Sequence, residues 1–352
     1  MAWSRAVDVS TQPLAVASPD PVCGKEHAMC TARHRLAGLL LVLGLLAPRL
    51  SVATTYTFLT LDAPYPGVSN TAITGFNMAG TVVGLYLDAG MRDQGFRWPL
   101  GQPVQVLLNV IPQAINRSGH IVGSYITDQV HGFVYYGGTF TPIDVPTDEE
   151  PPTILTEALG INDAGLIVGD YRDAVDRLFH GFLYTPTTQT FRTFDAPGSP
   201  GTSLQAINNQ GSMVGFFLDS AEHTHALRID NGQLAEVVVP GVGEPMLVGI
   251  TDTGLVAGSG AEPPVGFILL GGVVQVVEVP NSTLTELFGI RNDGTIYGRY
   301  IDTHGVDHGF LAVPDHTPPV ASRGQSLSRQ ASASAPCLPG SKRWACHAAL
   351  HQ

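Results

Sequence analysis

The long middle part of the chain lacks lysine and cysteine. Residues 54–313 contain neither, and they carry 26 Asp and Glu against nine Arg, a formal charge of 9 − 26 = −17. Such a surface repels nucleic acid and anionic membranes, so neither is expected as a partner. We interpret the acidic charge as a means of keeping an exported protein soluble. The alternative interpretation is that it attracts divalent cations or a basic partner. Without cysteines, packing and strand pairing must hold this region together.

Sequence signatures of known chemistry are also missing. No segment matches an EF-hand loop, a His-Glu-x-x-His zinc site or a nucleophile elbow. The recurrent Gly-x-x-x-Gly pairs are not phosphate loops, because no Lys-Ser/Thr follows them. The sequence therefore predicts no catalytic residue and no cofactor, with bound Ca²⁺ as the alternative. It favours a protein that is not an enzyme.

The chain instead contains one sequence motif, the repeat phrase, that occurs six times. Its third copy reads Gly-Ile-Asn-Asp-Ala-Gly-Leu-Ile-Val-Gly-Asp-Tyr from Gly160 to Tyr171, and then His180-Gly-Phe-Leu-Tyr184. The turn glycine recurs at intervals of 39, 46, 46, 43 and 40 residues, which indicates a repeat architecture. The turn glycines are Gly80, Gly119, Gly165, Gly211, Gly254 and Gly294; the second glycines are Gly84, Gly123, Gly169, Gly215, Gly258 and Gly298; the apolar anchors are Phe96, Phe133, Phe182, Leu227, Phe267 and Phe310.

Each copy reads as β structure. Pairs of β-branched residues lie between turn residues, and Asn-x-x-Gly is hairpin chemistry, since Asn starts the turn and Gly takes the positive φ. Copies five and six have Thr251 and Arg291 at the Asn position. A further strand between copies usually ends in Pro, which gives four strands per unit, the size of a propeller blade. These strands are predicted at Val104–Pro112, Phe140–Pro146, Phe191–Pro197, Leu234–Pro240 and Val273–Pro280.

The strand predicted at residues 56–62 stands before the first copy, while the sixth copy ends at Val313 without one. Six copies need six such strands, so the N-terminal strand is expected to complete the last unit. The prediction is an all-β fold, a six-bladed β-propeller over residues 54–313 closed by that strand. An open β-solenoid is the alternative, and it would leave residues 56–62 unpaired with the sixth unit.

The two ends have different compositions. Arg33-His34-Arg35, the apolar run Leu36–Ala47 and the small residues before Thr54 predict a signal peptide that starts at Met29 and is cleaved after Ala53, so residues 1–53 are a leader. A membrane anchor is the alternative, although the run is short for a span. Residues 314–352 are rich in Pro, Ser and Ala and are predicted to be a disordered tail. Cys337 and Cys346 lie close enough in sequence to pair there, which the spacing alone does not decide.

Two recurring polar positions are candidate metal ligands. An Asp follows the second glycine after four residues, and a His lies two residues before the anchor. Carboxylates suit Ca²⁺ and imidazole suits transition metals, so these side chains could form a ring of ligands. The favoured interpretation is structural: each His fastens its own unit by a hydrogen bond to a carbonyl or to the loop Asp. The candidates are Asp88, Asp173, Asp219, Asp302, His131, His180, His225 and His308.

The repeat phrase resembles the bacterial HAF family of extracellular repeats, named for a His-Ala-Phe triplet. The matching triplets are His131-Gly132-Phe133, His180-Gly181-Phe182, His225-Ala226-Leu227 and His308-Gly309-Phe310. The resemblance spans about residues 56–313 and implies export by bacteria, but no assigned reaction.

From the composition and the repeat together we expect a secreted, monomeric binding or scaffold propeller for an extracellular glycan or protein, in the medium, the periplasm or at the cell surface. The alternative is a secreted polysaccharide hydrolase or lyase, Ca²⁺-assisted or not.

Overall fold

The structure is a computed structural model that describes residues 54–65, 69–146, 153–172, 174, 177–262 and 264–315. These residues form strands, turns and loops. No helix within them is long and apolar enough to cross a membrane. The predicted leader and nearly all of the predicted tail, with both of its cysteines, lie outside the described residues.

The described residues contain 24 strands. They are β1 (Tyr56–Thr60), β2 (Ser69–Phe76), β3 (Thr81–Leu87), β4 (Asp93–Pro99), β5 (Gln105–Leu107), β6 (Val110–Ile115), β7 (Ile121–Ile126), β8 (Val130–Tyr136), β9 (Thr139–Ile143), β10 (Leu155–Ile161), β11 (Ile167–Arg172), β12 (Phe179–Thr185), β13 (Thr190–Phe194), β14 (Thr202–Ile207), β15 (Met213–Leu218), β16 (Thr224–Asp230), β17 (Gln233–Glu236), β18 (Gly243–Ile250), β19 (Val256–Glu262), β20 (Pro264–Leu270), β21 (Val273–Val277), β22 (Ser282–Ile290), β23 (Ile296–Asp302) and β24 (Asp307–Pro314).

Consecutive strands pair antiparallel into sheets of the kind a propeller uses. Three sheets are four-strand meanders, β2–β5, β14–β17 and β18–β21. An eight-stranded sheet consists of two more meanders, β6–β9 and β10–β13, which meet where Leu155 pairs in parallel with Val130. A further sheet has the order β1-β24-β23-β22, so the N-terminal strand lies beside the last one. The fold is an all-β propeller.

The N-terminal strand is fully paired. β1 runs antiparallel to β24 from Tyr56 opposite Pro314 to Thr60 opposite Phe310, and the N–H of Leu61 donates to the carbonyl of Gly309 at 2.8 Å. The sheet continues one residue beyond the predicted boundary at Val313. The N–H of Asp315 also donates to the carbonyl of Thr55, at 2.8 Å.

Apolar side chains fill the spaces between successive meanders. One cluster combines Val122 of β7 with Ile167 of β11 and Phe182 of β12, and the other clusters repeat this arrangement between other neighbours. Another contains Leu311 of β24 together with Ile73 of β2, so the last and first sheets share a core as well. All six predicted anchors are fully buried at 0% exposure, which confirms their assignment to the core.

The two recurring glycines are required for different reasons, one for its backbone conformation and the other for its lack of a side chain. Gly165 ends a tight turn at φ +83°, where the N–H of Gly165 donates to the carbonyl of Asn162 at 3.0 Å. Gly169 has no positive φ, but a Cβ there would lie 1.9 Å from the carbonyl oxygen of Glu157 and 3.0 Å from the Phe182 ring. Glycine is therefore required at the second position, because the neighbouring strand and the ring of the anchor leave no space for a side chain.

The predicted strand Val104–Pro112 is wrong as a single element. It contains both β5 and the start of β6, separated by a turn in which Asn109 has φ +59°. The other strands predicted between copies end before their prolines, at Ile143, Phe194, Glu236 and Val277. Proline has no N–H to donate to a ladder, which explains its place in the loop after the strand.

Candidate functional site

The four candidate histidines each bond an acid near the fourth strand of their own sheet. The Nδ1 of His131 lies 3.2 Å from Asp144, that of His180 3.0 Å from Asp195 and that of His225 2.9 Å from Glu236. In the last sheet the acid comes from the N-terminal segment, where Asp62 lies 2.9 Å from His308 Nδ1. Each imidazole also stacks on an aromatic ring of the preceding strand, with centroids 5.0–5.1 Å apart, on Tyr125, Tyr171, Phe217 and Tyr300.

The candidate aspartates cap their own loops. In Asp219, Oδ1 accepts hydrogen bonds from the backbone N–H groups of Ala221 and His223 at 2.8 and 3.0 Å, while Oδ2 lies 3.3 Å from His225 Nε2. The bond from the His223 N–H, followed by the others, lowers the pKa of Asp219 to about 2. Asp302 is held in the same way, and backbone bonds from Val306 and His304 lower its pKa.

Asp88 repeats this loop geometry with a different partner. Its Oδ1 accepts from the N–H groups of Gly90 and Arg92, and the guanidinium of Arg92 bonds its other oxygen, so the pKa of Asp88 is lowered. The fourth candidate aspartate, Asp173, lies outside the described residues. Every candidate that is described thus bonds within its own sheet. In that part of the chain no group of three or more His, Cys, Asp or Glu is arranged to hold a metal ion.

A feature that sequence reasoning missed lies on the first strand of each meander. All six of these strands, β2, β6, β10, β14, β18 and β22, shift register by one residue just before a small residue. Such a bulge re-aims the side chain of the extra residue. The residues at the bulge are Thr74, Gln113, Leu159, Gln205, Val248 and Phe288.

All six bulge residues line one cavity of about 130 Å³, which we call the axial cavity. At Gly75, Gly160 and Gly249 the glycine after the bulge lets neighbouring first strands approach closely: a Cβ on Gly160 would lie 2.9 Å from the Cα of Ala206. None of the candidate Asp and His residues that the structure describes lines it. Since the strands are antiparallel, the cavity-lining ends of the first strands and the Asp loops lie at opposite ends of the sheets.

Around the mouth of the axial cavity, the repeat asparagines join neighbouring sheets. The Nδ2 of Asn77 donates to the carbonyl of Asn116 at 2.9 Å, Asn116 to Asn162 at 3.1 Å, and Asn162 to Asn208 at 3.1 Å. Asn208 continues to Thr251 at 3.0 Å. The Oδ1 of each amide makes the predicted turn bonds as well, so one side chain serves both its own hairpin and the next.

Copy six replaces the amide by a guanidinium with the same role. Nη1 of Arg291 donates to the carbonyl of Asn77 at 3.2 Å, which links β22 to β2. The guanidinium also lies 4.1 Å above the Phe76 ring and bonds the carboxylate of Asp293. Copy five differs, because Thr251 has a hydroxyl that accepts from the N–H of Leu255 at 3.0 Å but no amide.

A second set of bonds runs through the next residue along each turn. The N–H of Arg117 donates to Asp163 at 2.8 Å, that of Asp163 to Asn209 at 2.9 Å, and that of Asn209 to Asp252 at 2.9 Å. Asn292 continues the set, since its Oδ1 accepts from the N–H of Asp252 at 2.8 Å. These residues form the rim of the axial cavity.

The chain is distantly similar to several solved structures. No family profile and no curated protein matches the chain. Among solved structures, a fungal lectin from Aleuria aurantia with a six-bladed β-propeller fold is 11% identical at a TM-score of 0.44, covering 72% of this chain and 98% of that one. AofleA from Arthrobotrys oligospora is 11% identical at 0.46, covering 78% and 91%. A streptogramin B lyase is 12% identical at 0.40, covering 75% and 98%. Similarity at this level gives no information on ligand or activity.

Proposed function

We propose that the protein is an exported binding propeller whose ligand is an extracellular glycan or protein. One observation carries the proposal: six first strands use the same bulge to present five different residue types to one cavity. None of the six side chains is an acid, a base or an activated nucleophile. Recognition by shape and hydrogen bonding is what such a lining offers.

Comparison among the copies supports this assignment. The second glycine, constant in all six copies, and the anchor, a Phe in five copies and Leu227 in the other, have a packing role. At the bulge the backbone is constant while the side chain varies, so packing within the sheet does not dictate the residue. Variation on a constant backbone is what a surface that recognises a ligand through several different contacts requires.

We further propose that the ring has six blades and is closed by β1. Three contacts support closure: the ladder between β1 and β24, the bond from His308 to Asp62, and the bond from Arg291 to Asn77. Closure leaves no open sheet edge between the first and last units. Deleting residues 56–62 from the full chain tests it by thermal unfolding. A ring loses its single cooperative transition, whereas an open array keeps it and frays at one end.

Export and membership of the HAF family belong to the same proposal. The predicted cleavage leaves Thr54 as the first residue, and the N–H of Thr54 donates to Gln275 Oε1 at 2.8 Å in the outer strand β21. Amino-terminal sequencing of protein collected outside the cells checks the cleavage. A first residue at Thr54 is expected, and a chain that retains residues 29–53 in a membrane fraction would contradict it.

The binding function is tested with a glycan array and a polysaccharide hydrolysis screen on the full secreted chain. We expect saturable binding of at least one glycan, or of an extracellular protein in a parallel screen, with no turnover. Turnover of a polysaccharide without retained binding would overturn the proposal in favour of a hydrolase or lyase. A melting temperature lowered by a chelator would show that Ca²⁺ or another ion takes part.

A further inference from the structure

We propose that the axial cavity is a subsite for a single neutral sugar ring at the end of a glycan. The inference rests on the proposed binding function and adds the place and the ligand class. It depends on three properties of the cavity: the kinds of side chain that line it, its charge and its size.

The lining divides into a polar and an apolar part. Gln113 and Gln205 enter from β6 and β14, with Leu159 of β10 between them in chain order, and both are part-exposed. Val248 and the half-buried ring of Phe288 follow from β18 and β22. Amides carry both donors and acceptors, and sugar hydroxyls are both as well, so paired bonds form without any charge. The C–H face of a pyranose is apolar and packs against an aromatic ring.

The two glutamines are differently prepared for a ligand. Gln205 is oriented by its own strand, since its Nε2 donates to the hydroxyl of Ser203 at 2.7 Å. Its Oε1 is then the atom left to accept from a hydroxyl. The side chain of Gln113 makes no hydrogen bond to the residues that the structure describes, so both its amide oxygen and its amide nitrogen are available to a ligand. A residue already fixed by its neighbour loses less conformational entropy on binding, which favours Gln205 as the anchor.

The charges of the cavity cancel although the repeat region is strongly acidic. Its lining includes Arg117 and Arg291 against Asp163 and Asp252, a sum of zero. Both carboxylates already accept backbone N–H bonds, and Arg291 is engaged with Asp293 and Phe76. Burial raises the pKa of Tyr297 to about 12, so its phenol in the lining is neutral. A neutral ligand leaves these charges balanced, whereas a sugar acid would add a net negative charge beside Asp163 and Asp252.

Size limits the ligand to one ring. At about 130 Å³ the cavity is well below the roughly 300–1,000 Å³ of sites that enclose drug-sized molecules. A longer glycan would have to continue outward past the rim. There the amides of Asn209 and Asn292 bond the carboxylate of Asp252 at 3.0 and 2.7 Å. The glycan end, rather than an internal sugar, is therefore the part that enters.

The test is saturation-transfer NMR on the full secreted chain with glucose, galactose, mannose and N-acetylglucosamine, and with glucuronate and galacturonate as anionic counterparts. We expect transfer to at least one neutral sugar and none to its acid. Gln113→Ala with Gln205→Ala, and separately Phe288→Ala, should each weaken that sugar at least tenfold. Gln233→Ala, on the exposed outer strand of the sheet that holds Gln205, is the matched control and should change nothing. Melting curves verify that each variant is folded.

The outcomes separate this inference from the proposed function. If the chain binds a glycan on the array but the cavity variants bind it unchanged, the subsite is wrong and the binding function stands. Preference for the sugar acids would also overturn the inference. If the chain retains no glycan and no extracellular protein at all, the proposed function fails together with it.

Discussion

The histidine–acid contacts and the axial cavity are both built from positions that recur in every unit, yet they differ in what recurs. At the histidine positions the residue type repeats in four of the six units, with Gln94 and Val265 in the other two, and the histidines bond within their own sheets, as His308 does with Asp62. At the bulges the backbone repeats and the residue type changes from unit to unit. We therefore interpret the repeated residues as stabilising, and we propose the repeated geometry with varied side chains as the place of ligand recognition.

The largest effect is expected where a repeated residue has no space to change. Gly169→Ala should destabilise the protein by about 3 kcal/mol or more, because the new Cβ would lie 1.9 Å from the Glu157 carbonyl oxygen. Gly165→Ala in the same hairpin is the control. It meets nothing within 4 Å, so only its φ of +83° counts, at about 1–2 kcal/mol. Equal losses in denaturant melts would show that crowding at the second glycine is unimportant.

A smaller effect is expected from the bonds that join neighbouring sheets. Asn162→Thr should keep the turn acceptor, as Thr251 does, and lose the bond to the carbonyl of Asn208. The expected cost is about 1 kcal/mol, because the carbonyl of Asn208 loses one of its two donors and keeps the N–H of Gly211. Thr251→Asn is the reciprocal change and should gain about 1 kcal/mol. Unfolding by urea measures both, and a neutral result for both would show that the asparagines serve only their own turns.

Smaller still is the pH dependence of one histidine–acid contact. The bond to Glu236, then those to Asp219, raise the pKa of His225 above its ordinary value near 6.5. The stabilisation is therefore complete below the unfolded pKa and disappears as pH rises through the folded one. The melting temperature of wild type should exceed that of His225→Gln near pH 5–6 and converge with it at higher pH.

The acid partner provides the check on that prediction. Glu236→Gln should move the titration of the His225 ring, followed by NMR, back toward the ordinary value. An unchanged titration would show that Glu236 does not stabilise the protonated imidazole of His225. Asp219 belongs to a separate window: with a pKa lowered to about 2, its contribution is present above its unfolded pKa and is lost only as pH falls through about 2.

Local patterns predicted what depends on local chemistry. The repeat, the Asn-x-x-Gly turns and the burial of anchors such as Phe182 follow from turn residues and apolar spacing. The histidines prove to bond an acid near the fourth strand, and His225 bonds its loop Asp as well. Asp144 and Asp62 give no sign of this in sequence, being 13 residues after and 246 residues before their partners. Only their place in similar strands hints at a shared role.

The cavity could not be predicted, because alternation of side chains along a strand fails at a bulge. In a regular strand, side chains alternate between the two faces, and this rule would place Gln113 and Gln205 on one particular face of the sheet. The one-residue shift at the bulge reverses the face that the rule predicts. In the sequence, Arg291 stands where four other copies have Asn, which by itself predicts the loss of the asparagine's hydrogen bonds. Its donation to Asn77 becomes visible only when the first and last sheets are seen side by side.

The most direct test measures stability and glycan binding together on two variants of the full chain. For Gln113→Ala with Gln205→Ala, we expect an unchanged melting temperature and loss of the wild-type signals on the glycan array. His308→Gln should lower the melting temperature and keep those signals. The opposite pattern, with binding lost at His308 and retained without the two glutamines, would contradict the assignment of the axial cavity as the binding site.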